Sequence, residues 1–248
     1  RVRHVPADAL ERDARRGVHQ GVVALVEEVR TYSVAELVLA HAFSVARFLY
    51  DSNRHMPGEG NTKFEEFKKK YSRGTELRGK TFGIIGIGRI GQAVARMALG
   101  LGMRVVCHDP FVKEAVVRIP IEGATPVDVA LKSVTPEEVY RNGDYITFHV
   151  PGGELAGARE IDLMKNGVVL INTARGGVIN EEALVDALGS GKVAHACLDV
   201  FNNEPEPSEK LLRHPKISLT PHIGAATNEA QERIGLELAE KLIEALRT

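Results

Sequence analysis

The feature that most constrains the fold is a loop with three glycines, at positions 86, 88 and 91, between two apolar segments. At this spacing Gly86 permits a tight turn, Gly88 lets the backbone approach an anion, and Gly91 allows close helix-to-strand packing. The amino end of the helix that follows would offer free N–H groups to the anion. Glycines here can also serve packing alone, so the rest of the chain decides between the two interpretations.

Apolar strands and helical patterns alternate around this loop. Strands are predicted at Thr81 to Ile85, Arg104 to His108, Tyr145 to Val150, Val168 to Thr173, His195 to Val200 and Ile217 to Thr220, and helices at Ile90 to Leu101, Pro136 to Arg141 and Glu181 to Leu188. Strands rich in Val, Ile and Leu that alternate with helices predict a parallel sheet covered on both faces. The predicted fold class is therefore α/β, a doubly wound parallel sheet of the Rossmann type.

Helical segments are predicted on both sides of this sheet domain. Ser33 to Tyr50 has apolar residues at helical spacing, with Ser33 as a candidate N-cap and Glu36 three residues on. We interpret residues 33–76 as a linking helix and a polar dimerisation arm, 77–227 as the sheet domain, and 228–248 as a C-terminal helix, with its amphipathic pattern from Asn228 to Leu246.

Composition excludes several classes of protein. With 32 basic and 33 acidic residues the 248-residue chain has a formal charge of -1, which disfavours nucleic acid as a partner. Its two cysteines, Cys107 and Cys197, stand in apolar runs and are expected to be buried thiols, so a reducing cytoplasm is favoured. No apolar stretch reaches the length of a membrane span, and no metal site is predicted.

An acidic residue refines the interpretation of the glycine loop. The second strand ends at Asp109, at about the spacing where a carboxylate receives the ribose hydroxyls of a dinucleotide. An acid at this place repels a 2′-phosphate, and Pro110 rather than an arginine follows it. The sequence therefore predicts an NAD site rather than an NADP site.

Three later strand ends carry polar residues that can act on a substrate. Arg175, Glu204 and His222 each follow a predicted strand, on the edge where a doubly wound sheet presents its ligand. Taken singly, each has an ordinary structural explanation as a surface cation, a loop charge or a hydrogen-bonded loop histidine. Together, and after an NAD loop, they indicate an anion-binding group and an acid–base pair.

Several motifs in fixed order resemble those of the D-isomer-specific 2-hydroxyacid dehydrogenase family. They are Gly86-Ile-Gly-Arg-Ile-Gly91, His108-Asp-Pro, His149-Val-Pro, Ile171-Asn-Thr-Ala-Arg-Gly-Gly, Asp199-Val-Phe with Glu204-Pro, and Thr220-Pro-His-Ile-Gly-Ala-Ala-Thr. Within the family, Ala46-Arg-Phe-Leu-Tyr, Lys69-Lys-Tyr-Ser-Arg-Gly, Leu77-Arg-Gly-Lys and Gly100-Leu-Gly-Met are most similar to D-3-phosphoglycerate dehydrogenases, which act in serine biosynthesis.

The resemblance implies a role for each matching residue. Arg175 would hold the substrate carboxylate with its planar guanidinium, His222 would exchange the hydroxyl proton, and Glu204 would hydrogen-bond the far ring nitrogen of His222. NAD would be lined by Gly86, Gly88, Arg89, Ile90, Gly91, Asp109, His149, Val150, Pro151, Thr173, Ala174, Arg175, Asp199, His222, Gly224 and Ala225.

The resemblance also leaves alternatives open. The family places a substrate-binding lobe before the linking helix, and residues 1–32 are interpreted as a remnant of it, with most of the lobe missing. The expected function is NAD-dependent hydride transfer at C2 of a small 2-hydroxy or 2-oxo acid, 3-phosphoglycerate first, with glyoxylate or hydroxypyruvate reduction as the alternative. A non-catalytic NAD(H)-binding interaction module is the other class of function, and a homodimer is the expected assembly.

Overall fold

A parallel sheet of six strands forms the centre of the molecule. The computed structural model describes residues 31–232. The strands are β1 (Thr81–Ile85), β2 (Arg104–His108), β5 (Tyr145–Phe148), β6 (Val168–Asn172), β7 (Val193–Leu198) and β8 (Ile217–Leu219), with β3 (Glu114–Ile119) and β4 (Val127–Lys132) forming a separate hairpin. The order across the sheet is β2-β1-β5-β6-β7-β8 and every pairing is parallel. The predicted fold class is confirmed.

Helices cover both faces of this sheet. They are α1 (Thr31–Ala46), α2 (Leu49–Glu59), α3 (Phe64–Tyr71), α4 (Arg89–Gly100), α5 (Pro136–Asn142), α6 (Ala158–Leu163), α7 (Glu181–Ser190) and α8 (Glu209–Leu212). One apolar cluster joins α1 and α4 to the sheet through residues such as Val38, Val94 and Ile84. A second cluster joins α5, α6 and α7 to the opposite face through Val139, Ile161 and Leu184. The strand order therefore reverses between β1 and β5, with β2 on one side and β5 to β8 on the other. Doubly wound sheets bind ligands beyond the carboxyl ends of the strands at this switch point.

The β3–β4 hairpin is an element that the sequence analysis missed. Its two strands pair antiparallel from Glu114 opposite Lys132 to Ile119 opposite Val127. Ala115 and Val117 are buried while Val116 between them is exposed, which is the period-2 alternation of a half-buried strand. The hairpin lies beside β2, because a parallel bridge joins Cys107 to Ser133.

The linking helix differs from its prediction at both ends. Ser33 lies inside α1 rather than at its N-cap, and α1 ends at Ala46 instead of continuing to Tyr50. Phe48 has φ 55°, in the left-handed region, and this turns the chain into α2. Apolar residues continue at helical spacing through the turn, so periodicity could not reveal the break. Tyr50 belongs to α2, where its hydroxyl donates to the carbonyl oxygen of Pro215 at 3.1 Å.

The remaining helical prediction falls partly outside the described residues. Residues 228–232 are helical, and the rest of the helix predicted from Asn228 to Leu246 lies outside the part that is described. Among residues 31–232 no single helix has the length and apolar composition to span a bilayer, and only α1 and α2 together, bent by 59°, meet that test. Cys107 and Cys197 are free and buried, as predicted.

Candidate active site

The carboxyl ends of five neighbouring strands meet at one edge of the sheet. Four of these strands end one or two residues earlier than predicted, so that His149, Thr173, Asp199 and Thr220 directly follow β5, β6, β7 and β8, while β1 ends at Ile85 as predicted. The glycine loop follows β1 at the same edge. A parallel sheet brings the ends of its strands together whatever their separation in sequence, and this is why the predicted site residues converge here.

The glycine loop has the geometry that its spacing predicts. Gly86 has φ 96°, and a Cβ there would lie 2.3 Å from the carbonyl oxygen of His149. A Cβ at Gly91 would lie 2.1 Å from the carbonyl oxygen of Gly86, so only glycine lets α4 pack this closely on β1. Gly88 faces open space, since a Cβ there would meet no atom within 4 Å, and α4 begins at the next residue, Arg89. The open space before a helix amino end suits a pyrophosphate.

Asp109 connects the glycine loop to the turn after β2. Its Oδ2 accepts a hydrogen bond from the backbone N–H of Ile87 at 3.0 Å. Its Oδ1 accepts from the N–H groups of Phe111 and Val112 at 2.9 and 3.1 Å. A carboxylate can accept about four hydrogen bonds, so these contacts leave capacity for a ribose hydroxyl. The side chain is half-buried, at the end of β2 where the sequence analysis expects the ribose.

Buried polar atoms without partners mark the middle of the edge. Among the described residues three such side-chain atoms occur, and two of them, His149 Nδ1 and Thr173 Oγ1, follow the adjacent strands β5 and β6. Burial lowers the pKa of His149 to about 3, so its ring is neutral near pH 7. Buried polar groups normally have a partner, and a bound cofactor with hydroxyl and amide groups would supply one here. The residues at this edge therefore fit a dinucleotide.

His222 and Glu204 form a hydrogen-bonded pair. The Nδ1 atom of His222 lies 2.7 Å from Oε2 of Glu204, and Oε1 of Glu204 accepts from the N–H of Phe201 at 2.9 Å. A carboxylate only accepts hydrogen bonds, so Nδ1 of His222 carries a proton and Nε2 of the neutral ring holds a lone pair. This arrangement suits a general base whose tautomer is fixed by a neighbouring carboxylate.

The charge state of Glu204 follows from its neighbours. Burial by itself would raise the pKa of Glu204, but the hydrogen bonds from His222 and Phe201 and the charges of His222 and Arg175 together lower it. Arg175 is exposed three residues after the end of β6, and its Nη1 donates to the carbonyl oxygen of Ala174 at 2.6 Å. The three residues predicted to be catalytic therefore lie at one edge of the sheet. The guanidinium of Arg175 is close enough to Glu204 to help lower its pKa.

The other predicted cofactor residues differ in their exposure. Asp199 is fully buried, and its oxygens accept from Thr220 Oγ1 and from the N–H groups of Ile223 and Gly224 at 2.6, 2.9 and 2.8 Å. Ile90, Val150 and Ala225 are half-buried, Arg89 and Pro151 are exposed, and Ala174 and Gly224 are buried. Asp199 thus holds the backbone of the His222 loop, a role that the sequence analysis did not predict.

Sequence analysis also missed a buried histidine behind the site. His41 of α1 lies 3.1 Å from Ser218 Oγ and 3.1 Å from Thr220 Oγ1. The signal in the sequence was a histidine among the apolar residues of a helix and a serine inside an apolar strand, 177 residues apart. Nothing in either segment alone connects the two.

Comparison with known proteins assigns the class of this site. Residues 39–224 match the family model described as "D-isomer specific 2-hydroxyacid dehydrogenase, NAD binding domain". The chain belongs to this family, and NAD is the cofactor of the domain that it contains.

Individual relatives have several different names. The chain is 40% identical over 221 residues to a hydroxypyruvate reductase of Thermotoga maritima, covering 86% of this chain and 66% of the relative. It is 36% identical to a D-3-phosphoglycerate dehydrogenase of Methanocaldococcus jannaschii, covering 95% and 43%, and 36% identical to a glyoxylate reductase of Thermococcus litoralis, covering 94% and 69%. The chain thus spans between less than half and about two thirds of these relatives' lengths.

Solved structures are similar in fold. A glyoxylate reductase from Paecilomyes thermophila superposes with a TM-score of 0.71 at 33% identity, covering 88% of this chain and 62% of that one. The holo form of a D-mandelate dehydrogenase from Rhodotorula graminis gives a TM-score of 0.71 at 29% identity, covering 82% and 59%.

Proposed function

We propose that this chain supplies the cofactor and acid–base machinery of an NAD-dependent oxidoreductase that acts at C2 of a small 2-hydroxy or 2-oxo acid. The observation that carries the proposal is the 2.7 Å contact between His222 Nδ1 and Glu204 Oε2, beside Arg175 and at the same edge as the glycine loop. Binding of NAD alone would not require an acid–base pair.

The residues divide the reaction between them. Arg175 holds the substrate carboxylate through a planar pair of N–H donors. NAD would be held by the glycine loop and Asp109, and it would supply the hydride acceptor or donor for C2. His222 takes the hydroxyl proton at Nε2 as the C2–H bond breaks and the carbonyl forms, and gives the proton back in the reverse direction. Glu204 keeps Nδ1 protonated and stabilises the imidazolium that results.

The names of the relatives support three candidate substrates. They are hydroxypyruvate, glyoxylate and the phosphorylated acid of the 3-phosphoglycerate reaction. We put 3-phosphoglycerate first, which would place the chain in serine biosynthesis, because the motifs around the linking helix and α4 are most similar to those dehydrogenases. A reducing, cytoplasmic location is part of the proposal and is supported by two buried free thiols.

The direct test follows NADH absorbance. The purified full chain is mixed with NADH and, separately, with hydroxypyruvate, glyoxylate or 3-phosphohydroxypyruvate, and we expect oxidation with at least one of them. Tight NADH binding without oxidation of any would instead favour the non-catalytic NAD(H)-binding module.

Two variants test the assigned roles. His222→Ala should abolish turnover while NADH binding, followed by its fluorescence, persists, because Nε2 is the only proposed proton acceptor. Arg175→Lys should lower kcat/KM by about 100-fold, since an ammonium lacks the guanidinium fork. His214→Ala, which removes a histidine before β8 at the opposite edge, is the matched control and should retain turnover. A His222→Ala variant that keeps most of its kcat would overturn the assignment.

We also propose a homodimer formed through α1, α2 and α3. Several large apolar side chains on these helices are exposed: Tyr32, Phe43, Leu49, Met56 and Phe64. Exposed apolar side chains gathered on neighbouring elements are typical of an interface, and a two-fold axis lets one such surface cover its own copy.

A further inference from the structure

A buried histidine of the linking helix lies behind the loop that carries His222. His41 is 3% exposed, and its two ring nitrogens are each 3.1 Å from a hydroxyl oxygen, Nδ1 from Ser218 and Nε2 from Thr220. Burial lowers the pKa of His41 to about 4, although the charge of Asp199 acts in the opposite direction. The ring is therefore neutral near pH 7, with one nitrogen that donates and one that accepts.

The hydrogen bonds of Asp199 determine the direction of each hydrogen bond from Thr220 to His41 and Ser218. The N–H groups of Ile223 and Gly224 donate to Oδ1 and Oδ2 of Asp199, so both of its oxygens act as acceptors. Thr220 therefore donates its single hydroxyl proton to Oδ1, 2.6 Å away. Thr220 Oγ1 then has only lone pairs left for His41. It follows that Nε2 of His41 carries the proton and donates to Thr220, and that Nδ1 accepts from the Ser218 hydroxyl.

The chain of bonds ends on the backbone beside the proposed base. Asp199 accepts from the N–H groups of Ile223 and Gly224, the two residues after His222. His222 has φ 55°, a left-handed backbone conformation that a non-glycine residue keeps only where its surroundings enforce it. Asp199 also begins the loop that leads to Glu204. Both members of the acid–base pair thus depend on the position of one buried carboxylate.

We propose that His41 is a positioning residue for the proposed reaction. Its Nε2–H group holds Thr220 and through it Asp199, and so keeps the His222 loop in register with Glu204. The positioning role of His41 rests on the proposed function only in those tests that measure turnover. The hydrogen-bond chain also ties α1 to β8 and to the end of β7, so that the linking helix and the acid–base pair move together.

The first test reads the tautomer of His41 and needs no turnover. In the full chain labelled with ¹⁵N, the ring signals of His41 are assigned by their loss in His41→Gln. We expect a neutral ring near pH 7 with the proton on Nε2 and none on Nδ1. A proton on Nδ1 alone, or a charged ring at pH 7, would overturn the proposal.

The second test compares variants in kinetics and in the His222 signals. His41→Leu removes the donor and should lower kcat by about 10- to 100-fold through loss of alignment, with KM and NADH affinity changed less than kcat. His41→Gln restores an N–H donor toward Thr220 and should recover most of the activity. Val38→Ala, fully buried on the same helix, is the matched control for lost stability and should leave kcat unchanged.

The same variants separate this proposal from the proposed function. The proton on Nδ1 of His222, which faces Glu204, should shift or exchange faster in His41→Leu and not in Val38→Ala. If the native chain binds NADH but oxidises no substrate, the proposed function fails, while this signal still tests the link. An unmoved His222 signal in a folded His41→Leu variant, together with an unchanged kcat where there is turnover, would overturn the positioning role. If His41→Leu does not fold, Ser218→Ala is compared with His41→Gln instead. The tautomer of His41 in the native chain then still decides the proposal.

Discussion

The two carboxylates of the site are held in different ways, and this separates their roles. Asp199 is fully buried and all its observed partners are donors of its own chain, so it acts on the backbone. Glu204 is partly exposed and places one oxygen on His222 and the other on the N–H of Phe201. A charge change at Glu204 therefore reaches His222, the proposed base, directly, while a charge change at Asp199 would first disturb the loop.

Replacing Glu204 by glutamine should change both catalysis and the pH dependence of stability. The amide can present an N–H to Nδ1 of His222 and so favour the wrong tautomer, and we expect kcat to fall on the order of 10²- to 10⁴-fold. Because the folded state lowers the pKa of Glu204 below its ordinary value of 4.5, the carboxylate stabilises the fold above that pH. This contribution is lost as the pH falls through the lowered pKa.

Denaturant unfolding at a series of pH values checks the second part. The difference in unfolding free energy between the native chain and Glu204→Gln should be constant at neutral pH and shrink below about pH 4.5. The exposed neighbour Glu206, changed to glutamine, is the control for the loss of one surface charge. A difference that grows as the pH falls would contradict the assigned sign.

At the scale of elements, the glycine loop separates packing from ligand binding. Gly91→Ala places a methyl group 2.1 Å from the carbonyl oxygen of Gly86, and we expect a loss of about 1–3 kcal/mol in unfolding free energy or more. Gly88→Ala meets no atom within 4 Å and has φ -66°, so its stability should change by less than about 0.5 kcal/mol.

NADH affinity distinguishes the two glycines. In Gly88→Ala the methyl group occupies the space expected for the pyrophosphate, and the Kd for NADH should rise about tenfold, equal to about 1.4 kcal/mol. Gly100→Ala, at the far end of α4 and also in open space, is the control for an added methyl group. Unchanged NADH affinity in Gly88→Ala would mean that the cofactor does not approach this loop.

Sequence reasoning succeeded where a short pattern fixes an element. β1 and β2 were predicted with their observed bounds because continuous apolar runs end at the glycine loop and at Asp109. Arg175, Glu204 and His222 were predicted to lie together because strand ends in a parallel sheet share one edge, and they do lie together; their catalytic roles remain a proposal. The β3–β4 hairpin was missed although its alternation is visible, since it interrupts the regular succession of strand and helix.

The rest of the site depends on contacts between distant segments. His41 and Ser218 are buried together only because α1 packs against the end of β8, and no local pattern predicts that contact. The turn at Phe48 was missed for a related reason. Beyond the turn, Tyr50 OH lies 3.2 Å from His195 Nδ1 of β7, a contact between segments 145 residues apart that no local pattern predicts.

At the scale of the whole molecule, the helices before β1 have two tasks. α1 packs on the sheet with Ala35, Val38 and Ala42 and leaves Phe43 exposed on its other side. After the bend at Phe48, α2 and α3 add Leu49, Met56 and Phe64 to the exposed apolar surface. The same helix that links to the acid–base pair through His41 therefore also contributes to the proposed dimer interface.

The assembly can be tested by sedimentation of the full chain. A homodimer would have a mass of about 54 kDa, twice the 27.0 kDa of one chain. We expect the double variant Leu49→Asp with Phe64→Asp to sediment as a monomer, because two buried charges without partners oppose an interface. Leu212→Asp, which places the same charge on an exposed apolar position of α8, should leave the dimer intact.

NADH binding by the double variant would show that the sheet domain is still folded. A native chain that sediments only at 27.0 kDa would refute the dimer, and a dimer that survives the double variant would move its interface away from these helices.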